Sequence, residues 1–352
     1  MDINSLLKSV IDKKASDMHI IAGSPPVFRI NTQLVRLGSQ NLTEEESKTL
    51  IESILSVEQR ARFQKEKELD VSYSLPGQAR FRVNVHFQRG TVAAAFRLIP
   101  TEIRNFRELG LPVAVFEKLS RRPAGCVLLT GPTGSGKSTT LAAMIDLIND
   151  ERECHIITIE DPIEYLHSHK KALIEQREIN EDSLSFQNAL KYVLRQDPDV
   201  ILVGEMRDLE TTAAAITAAE TGHLVFSTLH TVDVTQTVDR IIDIFPSHQR
   251  EQIRTQLAGV LEGIVSQRLI PSANGAGRVL AVEVMVANDA VRNLIREGKT
   301  HQLHTQIEAG RQWGMQTMDR ALVDLCRAGK IERDHAIANA RKPDEVRRLL
   351  EK

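Results

Sequence analysis

The sequence has only three cysteines, few aromatic residues and no long apolar run. Cys126, Cys154 and Cys326 are widely spaced and form no CxxC pair, which argues against a disulfide framework or a cysteine-rich zinc site and favours a reducing compartment. No apolar run approaches the roughly 18 residues of a membrane-spanning helix, and the N-terminus lacks the apolar core of a secretory signal. We therefore expect a soluble chain with no direct membrane span, whose membrane association goes through partners.

An excess of one charge sign is also absent, since 45 Lys and Arg residues face 47 Asp and Glu residues. Nucleic-acid binding proteins need a basic surface for phosphate contacts and often aromatic side chains on which bases stack. Aromatic residues make up only 4% of this chain. The composition therefore argues against a nucleic-acid motor.

The 352 residues are enough for two domains with a core each. Residues 1–98 combine helical patterns at 2–14 and 43–67 with an alternating hairpin at 79–99, which predicts a small α+β domain. Residues 99–112, bracketed by prolines, read as a linker. Residues 113–288 predict a doubly wound α/β core, and 289–352 a helical C-terminal region beginning with a cap at Asn288 or Asp289.

The α/β core is predicted from short, nearly continuously apolar runs that alternate with helical patterns, as in sheets buried on both faces. The predicted strands are Cys126–Thr130, His155–Ile159, Val200–Val203 and Leu224–Thr228, and the predicted helices include Ser138–Asn149, Phe186–Arg195 and Leu209–Thr221.

The strongest chemical signal is the stretch GPTGSGKS at 131–138, which follows one predicted strand and precedes a helix. This is the phosphate-binding loop pattern in its required context. Its glycines allow backbone N–H groups to surround phosphate oxygens at a helix N-terminus. Lys137 can reach the β- and γ-phosphates, and the Ser138 hydroxyl can ligate Mg²⁺. The sequence therefore predicts nucleotide binding.

Two acidic clusters follow predicted strands, where the crevice of an open α/β sheet lies. The first, IEDPIE at 159–164, could orient water for hydrolysis, although a solvated acidic loop explains it equally well. The second, DVILVGE at 199–205, ends an apolar strand on Glu205, which is typical of a metal-side carboxylate when a phosphate-binding loop precedes it.

Two histidines flank the strand within GHLVFSTLH at 222–230, and their spacing of seven places them on opposite faces. That spacing argues against a shared metal. One could sense the γ-phosphate, while His223 alone is at least as well explained as a structural histidine.

The predicted N-terminal domain carries Arg80 and Arg82 on one strand face, which Arg97 of the partner strand can share. Arginines supplied to a phosphoryl group stabilise its charge. From the residues alone, an exposed basic face is the simpler interpretation.

The order of these motifs resembles that of the type II/IV secretion ATPases, with their Walker A, Asp, Walker B and His boxes. The likeness extends upstream to ASDMH at 15–19, RFRVN at 80–84, QRG at 88–90 and FR at 96–97, and so covers nearly the whole chain. The resemblance implies a PAS-like α+β domain followed by a RecA-like P-loop ATPase domain with a helical tail. It also implies six subunits in a ring.

Within that family, AVRNLIRE at 290–297 looks like the AIRNLIRE signature of the PilT-type retraction ATPases, with Val291 in place of Ile. Assembly and type II secretion ATPases usually carry a four-cysteine zinc element, which is missing here. As a helix, the segment places Val291, Leu294 and Ile295 on one side. Arg292 and Arg296 lie on another side that could present charge to a partner. The coupling residues so implied are Arg292, Asn293, Leu294, Ile295, Arg296 and Glu297.

The resemblance also implies ATP and Mg²⁺ and assigns site roles. The nucleotide is expected at Gly131, Pro132, Thr133, Gly134, Ser135, Gly136, Lys137, Ser138 and Thr139. The expected catalytic residues are Glu164 activating water, Glu160 and Asp161 supporting it, Glu205 on Mg²⁺ through water, His230 at the γ-phosphate, and Arg82 and Arg97 from the N-terminal domain. With the resemblance, the catalytic interpretation of the arginines becomes the preferred one. Glu205 stands where a Walker B Asp is usual, which leaves the division of roles among the carboxylates open.

The implied function is a homo-hexameric, ATP-hydrolysing motor that drives type IV pilus retraction and twitching motility. Its implied place is the cytoplasmic face of the bacterial inner membrane, with a pilus platform protein and a second retraction ATPase as partners. The alternatives are a conjugation or secretion-traffic ATPase, a non-hydrolysing accessory subunit and a nucleic-acid motor. Segment 290–297 and the missing cysteines argue against the first, and the complete set of site residues argues against the second.

Overall fold

The computed structural model describes residues 2–275 and 277–351. It divides into two compact units. The first comprises the chain up to Glu102 together with Glu164–Leu166, and the second comprises Ile103–Ile163 and the chain from His167 onward.

The first unit is a six-stranded antiparallel sheet of order β3-β2-β1-β6-β5-β4, accompanied by helices. Its strands are β1 Asp17–Ile20, β2 Val27–Ile30, β3 Gln33–Arg36, β4 Glu68–Leu75, β5 Ala79–Gln88 and β6 Thr91–Ile99. Its helices are α1 Ile3–Asp12, α2 Glu44–Glu52 and α3 Val57–Glu66.

The predicted hairpin is confirmed as β5 and β6, which pair antiparallel. Alternate residues Phe81, Val83 and Val85 of β5 are fully buried, as the period of two requires. The opposite face carries Arg82 directly across from Arg97, so the prediction that these arginines share a face is also confirmed.

The prediction of one continuous helical stretch over 43–67 is wrong, because the structure has two helices there. The capping box at Thr43 is present, but the helix ends at Glu52 and α3 begins after Ser56. Ser56 and Gln59 form a second capping box, in which the Ser56 hydroxyl accepts from the Gln59 N–H and the Gln59 side chain accepts from the Ser56 N–H. The signal was present in the sequence as Ser-x-x-Gln.

The second unit contains a seven-stranded sheet of order β13-β12-β7-β11-β10-β8-β9, parallel except for β13. Its strands are β7 Gly125–Thr130, β8 His155–Glu160, β9 Leu173–Glu178, β10 Val200–Val203, β11 Leu224–Leu229, β12 Leu261–Pro271 and β13 Arg278–Val286. The helices up to β12 are α4 Val113–Ser120, α5 Lys137–Glu151, α6 Phe186–Val193, α7 Leu209–Glu220, α8 Val234–Asp243 and α9 Arg250–Val260.

All four predicted core strands and the three predicted core helices are present within a residue or two of their expected ends. The central strands β7, β10 and β11 are buried along their whole length, which explains their continuous apolar runs. The sequence analysis did not predict β9, β12 or β13.

The C-terminal region is helical, as predicted, and Asn288 is its first cap because its side chain accepts from the Val291 N–H. The helices are α10 Asp289–Arg296, α11 Leu303–Ala309, α12 Met318–Arg327, α13 Arg333–Ala338 and α14 Pro343–Leu350. Helices α12–α14 form a small core with Ile270 of β12 and Ala281 of β13. None of the described helices combines the length and the apolar character that crossing a bilayer requires.

The buried carboxylate of Glu283 joins this C-terminal region to helix α8. Glu283 of β13 is 3% exposed. Its oxygens accept the backbone N–H groups of Val234, at the start of α8 (3.0 Å), and Met318, at the start of α12 (3.3 Å). Burial raises the pKa of Glu283 above its usual value, although both hydrogen bonds act in the opposite direction.

The free energy of unfolding of wild type minus that of Glu283→Gln is expected to fall as pH rises above about 4.5. An acid with a raised pKa binds its proton more tightly in the folded state, so wild-type stability declines as pH rises from the unfolded toward the folded pKa. Denaturant unfolding of both proteins across this range measures the difference. The exposed Glu251→Gln variant is the control. If the free energy of unfolding of wild type rose with pH relative to that of Glu283→Gln, the raised pKa would be contradicted.

Candidate functional site

The phosphate-binding pattern forms a loop between β7 and α5, as predicted. Gly131 has φ +141°, and a Cβ there would collide with the backbone oxygen of Gln267 and the side chain of Ser135. Gly136 starts α5 with φ +93°. Only glycine fits the first position, and the second adopts a conformation that other residues rarely adopt.

The Lys137 side chain lies inside this loop. Its ammonium donates to the carbonyl oxygens of Gly131 (2.8 Å) and Pro132 (3.3 Å), and the side chain is largely buried. Ser138 and Thr139 follow in the first turn of α5, where helix N–H groups lack partners within the helix. The loop therefore combines a cation, hydroxyls and a helix N-terminus, which suits the phosphates of a nucleotide.

The four motifs meet at one edge of the sheet. Strands β7, β11, β10 and β8 are consecutive neighbours and run parallel, so their carboxyl ends lie side by side. Gly131 follows β7, His230 follows β11, Glu205 comes two residues after β10, and Glu160 ends β8. Within the second unit, the structure thus brings the loop, Glu160, Glu205 and His230 to the edge where ligands bind in such sheets.

Glu205 contacts a histidine and an arginine at this edge. Its Oε1 lies 3.2 Å from His230 Nε2, and its Oε2 lies 2.9 Å from Arg207 Nε. The preceding Gly204 carbonyl accepts from the Thr228 hydroxyl at 2.6 Å, which fixes the turn. The contact between Glu205 and His230 was not predicted. It places a histidine and a carboxylate where both can contact the same bound water.

Glu160 is positioned by the Thr158 hydroxyl (2.6 Å) and the Gln176 amide (3.2 Å), which both donate to its Oε1. Asp161 is exposed, and its peptide bond to Pro162 is cis. Glu164 is also exposed and belongs to the segment grouped with the first unit. The second unit by itself therefore supplies Glu160, Asp161, Glu205 and His230.

His223 lies at the other end of β11 and contacts the Ala218 carbonyl (2.9 Å) and the Thr221 hydroxyl (3.1 Å) through Nδ1. These contacts tie β11 to the end of α7. The structure therefore favours the structural interpretation of His223.

In the first unit, Arg97 donates from Nε to Asp17 at 2.9 Å, and Arg82 Nη2 lies 3.9 Å from Asp70. Arg97 is exposed and Arg82 is half-buried. The Arg82–Asp70 pair is exposed and therefore weak, so the Arg82 guanidinium can exchange this partner for a phosphate at low cost. Asp17 is only 12% exposed, so Arg97 is held more firmly by its carboxylate.

The prediction that one side of helix α10 packs against the protein is confirmed. Val291 and Ile295 are buried, and Leu294 packs against the main core. The expectation that Arg292 presents its charge outward is wrong. Its Nη1 donates to the Ala258 and Gly259 carbonyls, both at 2.7 Å, and its Nη2 donates to Glu262 at 2.8 Å. The side chain is only 18% exposed, so Arg292 caps α9 and pairs with a buried carboxylate.

Arg292→Ala is expected to lower the free energy of unfolding by about 2–4 kcal/mol, because it leaves two helix-end carbonyls and one side of Glu262 without donors. Arg296, one turn later, is exposed, and its alanine variant should change stability by less than about 0.5 kcal/mol. Denaturant unfolding of the two variants measures both values. Equal stabilities would contradict the anchoring role.

Several polar residues that support the site were missed. Gln267 of β12 donates to the Thr140 hydroxyl of α5 at 2.7 Å, and the Thr130 and Ser266 hydroxyls are 2.7 Å apart. Glu178, at the end of β9, is buried and accepts from the Ile163 N–H. The only signal for them in the sequence is a polar residue inside an otherwise apolar strand.

The residues fit the predicted Mg²⁺ site, because Ser138 lies in the first turn of α5 and Glu205 is a half-buried carboxylate at the same sheet edge. Within residues 2–275 and 277–351, no group of three or more His, Cys, Asp or Glu side chains could hold a metal ion by itself. A magnesium ion here would therefore need water and nucleotide oxygens as further ligands, as Mg²⁺ usually does.

The chain is similar to known proteins over nearly its whole length. Residues 1–342 match the family model described as "Type II/IV secretion system protein". The chain is 47% identical over 344 residues to the "Type IV pilus retractation ATPase PilT" of Pseudomonas aeruginosa, covering 98% of this chain and 99% of that protein. It is 46% identical over 344 residues to the "Twitching motility protein" of Neisseria gonorrhoeae, covering 98% and 92%. The crystal structure of the pilus retraction motor PilT with bound ADP superposes with a TM-score of 0.92 at 48% identity, covering 99% of both chains.

Proposed function

The chain belongs to the type II/IV secretion system protein family, and we propose that it is the ATPase that powers retraction of type IV pili. The observation that carries this is the sheet edge at which the phosphate-binding loop, Glu160, Glu205 and His230 meet. The full-length likeness to a pilus retraction ATPase, a twitching motility protein and an ADP-bound retraction motor supports the same function.

In the proposed mechanism, residues 131–139 hold the nucleotide phosphates and Lys137 neutralises the charge that develops on them. Ser138 would hold Mg²⁺ directly, and Glu205 would hold it through water. The ion, when bound, spreads the negative charge of the phosphate oxygens. His230 orients a γ-phosphate oxygen while it keeps its contact with Glu205.

Glu164 is proposed to orient and partly deprotonate the attacking water, with Glu160 and Asp161 shaping the acidic environment. Arg82 and Arg97 are proposed to stabilise charge on the transferring phosphoryl group. These assignments rest on the motif resemblance, and the exposure of Glu164 and the weak partner of Arg82 are compatible with them.

We propose a PAS-like first domain (1–98), a linker (99–112), a RecA-like ATPase core (113–288) and a helical region (289–352). Six chains form a ring at the cytoplasmic face of the inner membrane. The ring acts on a membrane-embedded platform protein of the pilus, and a second retraction ATPase is a further proposed partner.

ATP turnover of the purified full chain, with its mass by light scattering, tests this proposal. The expected result is a hexamer that hydrolyses ATP and loses hydrolysis in Glu164→Gln. A wild-type chain that binds ATP without hydrolysing it would instead support an accessory subunit. A fully active Glu164→Gln would overturn the water-activating role.

Arg296→Ala is expected to abolish pilus retraction in cells while changing ATP turnover by less than about twofold. Asn293 and Arg296 of α10 and Glu297 directly after it are exposed, so of the six predicted coupling residues they are the ones available to transmit force once Arg292 is excluded. Complementation of cells lacking the native protein, scored by twitching, measures the effect. Arg348→Ala on α14, also outside the site, is the control, and normal twitching with Arg296→Ala would contradict the assignment.

A further inference from the structure

Helix α10 is bound to strand β12 through the largely buried carboxylate of Glu262. Glu262 is 12% exposed at a bulge where the register of β12 against β7 shifts between Leu261 and Gly263. It pairs with Arg292 Nη2 at 2.8 Å and with Arg122 Nε at 2.5 Å. This carboxylate resists displacement from Arg292, because their separation would leave the largely buried guanidinium of Arg292 without its carboxylate.

The same strand reaches the phosphate-binding loop a few residues later. The Ser266 hydroxyl lies 2.7 Å from that of Thr130, the last residue before the loop. Gln267 is 1% exposed and donates to Thr140 in the first turns of α5. The Gln267 backbone oxygen packs so closely against Gly131 that no side chain fits there.

Between these two ends, β12 is paired on both sides, with β7 and with β13. A strand that is hydrogen-bonded on both edges is already extended and cannot absorb a displacement by stretching. A shift of the loop on nucleotide binding must therefore move β12 or break buried hydrogen bonds, which is costly.

We propose that strand β12 couples the nucleotide-binding loop to helix α10, with Gln267 and Glu262 as positioning residues at its two ends. This rests on the proposed function, because it requires a nucleotide at the loop and a role for α10 in force transmission. Nucleotide contacts at residues 131–138 shift the position of β12. The Glu262–Arg292 pair transmits this shift to α10 and its exposed side.

Hydrogen exchange of the full chain with and without saturating Mg·ADP tests the coupling, because exchange reports the opening free energy of each element. In wild type, we expect slower exchange at α5 and, by about fivefold or more, at α10. Arg292→Met breaks the anchor at α10, and Gln267→Met breaks the contact at the loop while leaving α10 and its anchor unaltered. Both variants should keep the response at α5 and lose the response at α10.

Arg292→Lys retains a positive charge beside Glu262 and should restore part of the α10 response, which loss of packing alone would not predict. The control is Arg121→Met, since Arg121 is also an arginine paired with two glutamates but is exposed on another part of the second unit. It should respond as wild type does at both helices.

Two results would overturn the coupling through β12. The first is that Mg·ADP slows exchange at α10 in Gln267→Met as much as in wild type. The second is that, in wild type, Mg·ADP slows exchange at α5 but not at α10. In either case, protection of α5 leaves the proposed ATPase function standing. An absence of protection at α5 in wild type would overturn nucleotide binding, and with it both proposals.

Discussion

Lys137→Ala is expected to lower ATP turnover by at least about a hundredfold, because the ammonium is the one side-chain cation within the phosphate-binding loop of 131–138. In the structure it donates to the loop's own carbonyls, which positions it inside the loop. Electrostatic groups that are positioned in advance stabilise the transition state most, since no rearrangement is needed during the reaction. Steady-state ATP turnover of the purified variant measures the loss.

The matched control is Lys118→Ala, because Lys118 is exposed on the outer side of α4. It should hydrolyse ATP at the wild-type rate. The fold of Lys137→Ala should be intact, since the loop backbone conformation depends on its glycines rather than on the lysine. Turnover within threefold of wild type in Lys137→Ala would contradict the assignment of this loop as the catalytic phosphate site.

Glu205→Gln is expected to lower turnover by about a hundredfold while ADP affinity changes by less than about threefold. The substitution keeps the size of the side chain but removes the charge that pairs with His230 and Arg207 and that attracts Mg²⁺. We therefore expect the loss of the Glu205 charge to destabilise the transition state of hydrolysis more than it destabilises the complex with ADP. Turnover and ADP binding, measured on the same preparation, separate the two effects.

Glu210→Gln, in the exposed first turn of α7, is the control and should behave as wild type. Parallel measurement of Glu160→Gln and Glu164→Gln resolves the division of roles among the carboxylates. If Glu205→Gln weakened ADP binding as strongly as it lowered turnover, the carboxylate would be a binding residue and the proposed role on Mg²⁺ during hydrolysis would be wrong.

The parts of the fold that could be predicted are those with a local physical signal. Strands β7, β8, β10 and β11 are continuous apolar runs because both faces of a central parallel sheet are covered. The loop and the two acidic clusters could be placed at one edge because parallel strands end together. These signals are carried by neighbouring residues in the chain.

Strand β12 could not be predicted in the same way. Its sequence LEGIVSQRLIP is interrupted by polar residues, which a pattern analysis treats as exposed. Ser266 and Gln267 are nevertheless buried, because their hydrogen-bond partners Thr130 and Thr140 come from more than 120 positions earlier in the chain. Burial of a polar group is decided by partners that only the folded chain supplies.

Arg292 shows the same limit at the site. Helical spacing placed it beside Arg296 on a charged face, and both look equivalent in the sequence. In the fold, Arg292 lies over the end of α9 and beside Glu262, whereas Arg296 remains exposed. Their different roles follow from the path of α9 and β12, which the local sequence around 292 does not encode.

The central claim, that ATP hydrolysis by this chain powers fibre retraction, is tested most directly by imaging labelled pili. The measurement uses cells that lack the native protein and express either the wild-type chain or Lys137→Ala at equal levels. The account predicts that pili shorten with the wild-type chain and extend without shortening with Lys137→Ala. Shortening at the wild-type speed with Lys137→Ala, or none with a wild-type chain that hydrolyses ATP, would contradict it.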